Sequence, residues 1–302
     1  MVFRKFLMIA TPDPIIPPSF TLEVKSDNAG TSGTNQFTIP TTTGTYLYDY
    51  TTSDGQSGTG ITGDETITFA SGVGTYEIYI TGTFPRIYFN NGGDKLKLLR
   101  VLEWGDYGVG ETDQRNMFNG CTNLTSIADD VDNLNLTVLG DFMFYFCSLT
   151  SLPSGLTLPN LTSATSMFRN NNLTSLPVGM TLPNLTSATS MFYGNGIIAL
   201  PSGMILDSLI IGSTMFFQTS LTDLPVGMTL PNLTNGVNIF LDLTINTTRY
   251  SQLLVDLESG NANNSVTFHG GNSKYNATGE TARNLLTGVG RTWTITDGGL
   301  EV

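Results

Sequence analysis

The chain has 302 residues, and 13% of them are charged, against about 25% in an ordinary soluble protein. Twenty-five acidic and 13 basic residues give a net charge of −12, which disfavours binding to the phosphates of nucleic acids. One histidine and two cysteines leave little for histidine-based catalysis, a zinc cluster or a disulfide scaffold, and no apolar run approaches the ~20 residues of a membrane span.

The N-terminal segment places a basic pair before a short apolar stretch and a proline-rich run. A secretory signal peptide has an apolar core of about 7–15 residues and a small-residue cleavage site, so none is predicted. The prolines predict a stiff, extended linker, and residues 1–18 then form an arm. Two interpretations stay open: a mobile tail, or an arm that binds other proteins of an assembly through Phe3, Phe6 and Leu7.

Residues 19–105 alternate between short runs of β-branched and aromatic residues and turns rich in Gly, Asp and Asn. Strands at this spacing, without a helical period, predict a β-sandwich of the immunoglobulin or PKD type. The predicted strands are 20–25, 36–39, 46–50, 66–69, 76–81, 86–89 and 96–102.

Residues 143–238 repeat with a period of 24, and each copy begins with Met-Phe. A 26-residue copy precedes them at residue 117, and a degenerate copy begins at residue 239. The period falls within the 20–29 residues of leucine-rich repeats, which predicts a short solenoid over residues 106–248. Because one copy cannot bury its apolar positions alone, the copies are expected to stack on one continuous core.

One column of the repeat holds both cysteines, four residues after the opening methionine. Asn continues the column in the next two copies, and leucine-rich repeats use Asn or Cys at an inward position of this kind. The sequence therefore predicts a buried structural ladder whose side chains bond to the backbone of neighbouring coils. A disulfide between the two cysteines is the less favoured alternative. The ladder consists of Cys121, Cys147, Asn171 and Asn195.

The outward positions of the repeats carry threonine columns and few charges, a surface that suits neutral glycans or other proteins. The first column, a predicted surface ladder, consists of Thr150, Thr174 and Thr222. The copy at 191–214 replaces threonine with isoleucine at Ile198, Ile205 and Ile210. If these side chains are exposed, they form an apolar patch typical of a protein interface. The alternative is burial beneath the C-terminal residues.

Residues 101–142 hold eight acidic residues against one arginine, a local charge of −7. Asp129, Asp130 and Asp132 could offer oxygen ligands to Ca²⁺, although their spacing does not match an EF-hand loop. A solvated acidic loop is the favoured interpretation, and no metal or cofactor site is predicted.

Residues 249–302 depart from the repeat, with helical spacing at 249–258 and 280–286 and strand-like runs at 265–269 and 293–296. They predict an α/β cap over the open end of the solenoid. The single histidine, His269, has no serine or cysteine partner by motif. No nucleophile, phosphate-loop or zinc-protease motif occurs, so no enzymatic activity is predicted.

The Met-Phe-x-Gly-Cys-x-Asn-Leu-Thr-Ser-Ile pattern of residues 117–127 resembles the BspA-like leucine-rich repeats of bacterial surface proteins, which have relatives in bacteriophage virion proteins. Residues 74–84 and 101–105 look like the sandwich that often precedes such repeats, although residues 52–55 lack the tryptophan of its usual turn. The resemblance covers roughly residues 20–302. It implies a mainly β fold of sandwich, solenoid and cap, and it carries no catalytic residues.

Two functions follow from these observations. The first is a non-enzymatic bacteriophage virion protein on the particle surface, acting as a fibre, decoration or host-recognition component. Such a protein would join other virion proteins through its arm, act as an oligomer within the assembly, and have a host-surface glycan or protein as its candidate ligand. The alternative is a bacterial cell-surface adhesin, which would need an export signal that is not found.

Overall fold

The computed structural model describes residues 18–302, with 20% of the chain in strands and 10% in helices. The predicted mainly β class is confirmed. The strands are β1 (Phe20–Lys25), β2 (Gln36–Ile39), β3 (Leu47–Thr52), β4 (Ser57–Ile61), β5 (Glu65–Thr68), β6 (Thr75–Thr83), β7 (Leu98–Glu103), β8 (Asn235–Gly236), β9 (Thr267–His269) and β10 (Thr294–Thr296). The helices are α1 (Thr247–Gly260) and α2 (Ala277–Thr287), with a 3₁₀ turn at Leu134–Leu136.

The N-terminal strands form two antiparallel sheets. One has the order β4-β3-β6-β1-β7, and the other pairs β2 with β5. Side chains alternate between the two faces of a strand, so Tyr48 and Tyr50 of β3 point inward together with Ile78 and Ile80 of β6. These buried side chains build the N-terminal part of the core.

Two details of this region differ from the sequence prediction. Residues 86–89 form no strand, because the backbone N–H of Phe89 donates to the carbonyl of Met117, in the first repeat, rather than to a sheet neighbour. Strand β4 was not predicted, because its Ser-Gly-Thr-Gly-Ile sequence shows no apolar alternation. It pairs only with β3, at the edge of the sheet, where such a sequence is tolerated.

Two oppositely charged side chains are buried near the start of β7. Asp94 and Lys97 are each 1% exposed. Asp94 accepts hydrogen bonds from the backbone N–H groups of Thr31, Ser32 and Thr38 at 2.7–3.0 Å. The Ser32 hydroxyl bridges the pair, donating to Asp94 at 2.6 Å and lying 2.8 Å from Lys97 Nζ. The pair therefore fixes the loop between β1 and β2.

Lys97 also binds carbonyl groups of the same loop. Its Nζ donates to the carbonyls of Gly33 and Gln36 at 2.7 and 2.8 Å. An ammonium group has three donors and no acceptor, so these bonds and the Ser32 contact use its full capacity. Burial of the charge is tolerated because it is fully hydrogen-bonded and lies near a carboxylate.

The repeats stack through backbone hydrogen bonds at matching positions. In each, the N–H of the phenylalanine in the opening Met-Phe donates to the carbonyl of the first residue of the next repeat. The first four such bonds, at 2.8–3.0 Å, join Phe118 to Met143, Phe144 to Met167, Phe168 to Met191 and Phe192 to Met215. A second line of contacts consists of isolated parallel bridges through Leu139, Ser163, Ser187, Ile211 and Asn235.

Six fully buried phenylalanines form a column through the repeats. Neighbouring ring centroids lie 5.5–5.9 Å apart, and the ring planes differ by 4–19°. Offset stacking of this kind adds to the energy of burial. The column consists of Phe118, Phe144, Phe168, Phe192, Phe216 and Phe240.

The C-terminal residues continue the stack. Strand β8 lies in the fifth repeat and pairs in parallel with β9, which pairs in parallel with β10. Helix α1 begins at the side chain of Asn246, which accepts from two backbone N–H groups of the first turn, and Asn276 does the same for α2. The buried apolar residues of the described chain form one cluster, from Phe20 to Ile295.

Candidate binding surface

The asparagines of the predicted ladder are buried and bond to backbone groups of two repeats. Asn171 Nδ2 donates to the carbonyls of Phe144 and Phe168, and its Oδ1 accepts from the N–H of Leu149. Asn195 makes the equivalent three bonds one repeat further on, at 2.8–3.1 Å. Each amide thus holds a turn of its own repeat against the previous one.

Both cysteines of the ladder are buried and free, so the alternative of a disulfide between them is wrong. Cys147 Sγ donates to the carbonyl of Phe118 at 3.2 Å. One repeat further on, the amide of Asn171 makes the equivalent bond to the carbonyl of Phe144. Burial raises the pKa of both thiols. The two groups are held as neutral thiols, since the thiolate would have to form without water around it.

We expect neither Cys121 nor Cys147 to react with a thiol-specific reagent such as dithionitrobenzoate while the chain is folded, because the reagent needs an accessible thiolate. Both should react when urea opens the repeats. The measurement is the rate at which thionitrobenzoate is released from the reagent across a urea series. Fast reaction of either thiol without denaturant would contradict the buried ladder.

The threonine columns differ in what their hydroxyls do. Thr150, Thr174 and Thr222 are exposed, as expected of a surface ladder. In a neighbouring column, Thr162 Oγ1 donates to the carbonyl of Val138 and Thr186 Oγ1 to that of Thr162, at 3.1 and 2.9 Å. The hydroxyls of this second column therefore stabilise the stack and are not available to a ligand as donors.

The isoleucines of the fourth repeat point into solvent. Ile198 is 57% exposed, and Ile205 and Ile210 are each 41% exposed. The C-terminal residues do not cover them, so the alternative of burial is wrong for the described chain. They stand at three separate positions round the repeat, and Ile211 extends the apolar surface beside Ile210.

One carboxylate of the acidic segment has a structural role. Asp130 Oδ2 accepts from the N–H groups of Trp104 and Gly105 at 2.9 and 3.0 Å, which ties the end of β7 to the first repeat. Within residues 18–302, no group of three or more His, Cys, Asp or Glu side chains is arranged to hold a metal ion. Asp129 and Asp132 are exposed.

The remaining predicted site residues fall into two groups. Phe3, Phe6 and Leu7 of the arm lie outside the described residues. His269 lies in β9, where its Nδ1 accepts from the N–H of Gly271, and this bond fixes the turn that follows.

An aromatic row runs across four successive repeats, at the position two residues after the opening methionine. It consists of Tyr145, Arg169, Tyr193 and Phe217. The guanidinium carbon of Arg169 lies 4.2 Å from the ring centroid of Tyr193 and 5.8 Å from that of Tyr145. Tyr193 meets Phe217 edge to face at 5.1 Å. A cation held between two aromatic faces fixes the row as one partly exposed unit.

Two further aromatic rings flank Tyr145 and with it form the aromatic platform of Phe142, Tyr145 and Phe146. The centroids of Phe142 and Phe146 lie 5.5 and 4.7 Å from that of Tyr145, both nearly perpendicular to it. Phe146 is 44% exposed. A cavity of about 360 Å³ opens beside Tyr145 and Phe146, and its other wall is formed by Asn91, Lys95, Gly120 and Thr122.

No protein-family model and no curated protein matches the sequence. Among residues 18–302, no helix is long and apolar enough to cross a membrane.

The aromatic row and platform are not among the predicted sites, although one column of the repeat contains a signal for the row. The third residue of each repeat is Tyr, Arg, Tyr and Phe in order from the second repeat. The regularly spaced leucines, which predict the core, are the stronger pattern in the same repeats. Comparing this one column across the repeats would have identified the row. Its stacking and the cavity beside it depend on three-dimensional placement.

Proposed function

We propose that the chain is a non-catalytic recognition protein in which a leucine-rich-repeat solenoid, between a β-sandwich and an α/β cap, displays a binding surface. The aromatic row carries this proposal. A partly exposed line of rings held in register by the repeats is costly to leave in water, and large aromatic residues with arginine dominate protein binding sites. The neutral threonine surface around it adds contact area without charge.

The setting we propose is the surface of a bacteriophage virion, where the chain would serve as a fibre, decoration or host-recognition component. The resemblance of its repeats to those of virion proteins supports this setting, as does the small number of charges in the repeats. The arm of residues 1–18 would join other virion proteins. A bacterial cell-surface adhesin of the BspA-like type would show the same surface and remains the alternative.

Immunogold labelling with antibodies against the full chain tests the setting on particles and cells from the same source culture. Labelled phage particles are expected. Labelled cell envelopes without labelled particles would favour the adhesin, and the absence of label from both would overturn surface display altogether.

The exposed isoleucines of the fourth repeat provide a proposed contact with a second protein. Replacing Ile198, Ile205 and Ile210 together with threonine, the residue of the other repeats, should leave the fold unchanged. If the contact buries them, each replacement should weaken assembly by about tenfold, because a buried isoleucine contributes about 1.5–3 kcal/mol. The measurement is incorporation into particles together with sedimentation of the purified chain.

The matched control replaces Val178 and Val226 with threonine. These valines are 81% and 75% exposed, and they lie in the repeats on either side of the isoleucines. Their replacement should not change assembly. Equal assembly of the isoleucine variant and the wild-type chain would eliminate the proposed contact.

A further inference from the structure

The aromatic platform contains two residues in a backbone conformation that bulky side chains avoid. In every repeat, the residue before the opening methionine and the residue three places after it have positive φ. The other repeats place Asn, Ser, Thr, Gly, Gln or Asp there. The second repeat alone places phenylalanine at both, Phe142 with φ 57° and Phe146 with φ 53°. A bulky residue in the left-handed region is strained, and such strain is concentrated at functional sites.

The protein core does not require these two phenylalanines. Phe146 is 44% exposed and Phe142 is half-buried, whereas the phenylalanine after the opening methionine of every repeat is completely buried. The two rings instead hold Tyr145 between them in edge-to-face contacts. The second repeat thus accepts backbone strain in order to present three rings at the surface.

The cavity beside the platform combines an aromatic wall with a polar one. Tyr145 and Phe146 form the first, and Lys95, Asn91 and Thr122 supply an ammonium, an amide and a hydroxyl on the second. Lys95 Nζ donates to the backbone carbonyl and the side-chain oxygen of Asn91, which leaves the N–H₂ of that amide for a ligand. The volume of about 360 Å³ lies in the range of small-ligand pockets. A pyranose ring fits this arrangement, since it has one C–H face that can lie on an aromatic ring and hydroxyls round its edge.

The charges near the platform indicate an acidic group on the ligand. Neither Lys95 nor Arg169 forms an ion pair with a carboxylate among residues 18–302, and the buried Nε of Arg169 has no hydrogen-bond partner there. Arg169 does not line the cavity; its guanidinium lies against the Tyr145 ring, which borders the cavity, so an oligosaccharide that extends past Tyr145 would reach it. The net charge of −12 opposes a dense polyanion, which favours isolated carboxylates over a phosphate backbone.

We propose that the aromatic platform, Lys95 and Arg169 bind an oligosaccharide that carries a carboxylate, such as a uronic or sialic acid. One sugar ring stacks on the exposed face of Phe146 and contacts Tyr145 beside it, and its hydroxyls meet the amide N–H₂ of Asn91 and the hydroxyl of Thr122. The carboxylate is held by Lys95 or Arg169. This inference deepens the proposed recognition function and rests on it.

The test is isothermal titration of the full chain with two acidic probes, sialyllactose and hyaluronan hexasaccharide. Their neutral counterparts are lactose and carboxyl-reduced hyaluronan hexasaccharide. At least one acidic probe should bind, at least tenfold more tightly than its neutral counterpart. Arg169→Gln should reduce that preference, and Phe146→Asn should abolish binding.

The variant Phe146→Asn separates binding from folding. Asparagine tolerates positive φ and stands at the corresponding position of the next repeat, so the Tm should stay equal or rise while binding is lost. The control Val178→Asn changes an exposed aliphatic side chain and should alter neither quantity.

The inference is overturned if neither acidic probe binds, if the neutral counterparts bind equally well, or if Phe146→Asn and Arg169→Gln bind like the wild-type chain. Loss of binding by Phe146→Asn together with a fall in Tm would show that the ring is structural, and this would also overturn it. If antibodies label virions but neither acidic probe binds, the proposed function is retained and only the proposed acidic-glycan ligand is rejected.

Discussion

Replacing Asp94 with alanine should remove about 3–5 kcal/mol from the free energy of unfolding of the N-terminal sheets. The change leaves the backbone N–H groups of three loop residues without their acceptor and leaves the ammonium of Lys97 buried without its nearby carboxylate. Each unsatisfied donor costs about 1–3 kcal/mol, and water entering the space recovers part of that cost. The expected loss is a large fraction of the stability of a typical domain.

Urea unfolding followed by tryptophan fluorescence measures this effect, since Trp104 is buried where β7 meets the first repeat. The control is Asp27→Ala, because Asp27 makes an exposed ion pair with Lys25 at 3.7 Å and should contribute less than about 1 kcal/mol. A midpoint for Asp94→Ala close to that of the control would show that water satisfies the loop without the carboxylate.

The same carboxylate predicts a pH dependence. Burial alone would raise the pKa of Asp94, but hydrogen bonds from Ser32 and Thr38 and the charge of Lys97 outweigh it and lower the pKa. Its contribution is therefore fully present above the unfolded-state pKa of about 3.9 and is lost as the pH falls through the lower folded-state pKa. The stability difference between the wild-type chain and Asp94→Ala should stay constant down to about pH 4 and shrink below it.

Replacing Asn171 with alanine should cost about 2–4 kcal/mol, because it deprives the buried N–H of Leu149 and the carbonyl of Phe144 of their side-chain partner. The carbonyl of Phe168 keeps a second bond from Asn195, which limits the loss. Asn171→Cys should recover part of it, since Cys147 shows that a thiol can donate to a carbonyl at this column.

The measurement is urea unfolding by circular dichroism, with amide hydrogen exchange at Leu149 and Asn172 reporting the local opening. Asn172→Ala is the control, because that side chain is exposed beside the ladder. Equal stability of the alanine and cysteine variants would mean that the column is selected for small size and not for hydrogen bonding.

Local patterns in the sequence are enough to predict most elements of this fold. Apolar alternation marks β1, β3 and β6, and a 3.6-residue period marks both helices. The pattern fails at residues 86–89, where buried Ile87 and Phe89 alternate with half-buried neighbours as in a strand but the backbone pairs with the first repeat. No local signal distinguishes the two cases, since the partner lies 28 residues along the chain at Met117.

The candidate site was harder to predict than the fold. The recurrence of Asn and Cys at one position of the repeat predicts that the ladder is buried. Asp94 and Lys97 lie outside the repeats, so no recurring pattern predicts the burial of this pair. The platform depends on left-handed backbone at Phe142 and Phe146, which phenylalanine itself disfavours. Sequence propensity therefore argues against the feature that carries the proposed ligand, as is typical where function and local preference conflict.

The direction of the hydrogen bonds between repeats has a mechanical consequence. The bonds from Phe118 to Met143, and their equivalents up to Phe216 and Ile239, each join one repeat to the next. A force that separates the two ends of the stack would act along these bonds and on every interface between repeats equally. Each interface holds few such bonds, so the interfaces would break one after another and not together as in a sheared sheet. The molecule would therefore lengthen under tension in steps of one repeat.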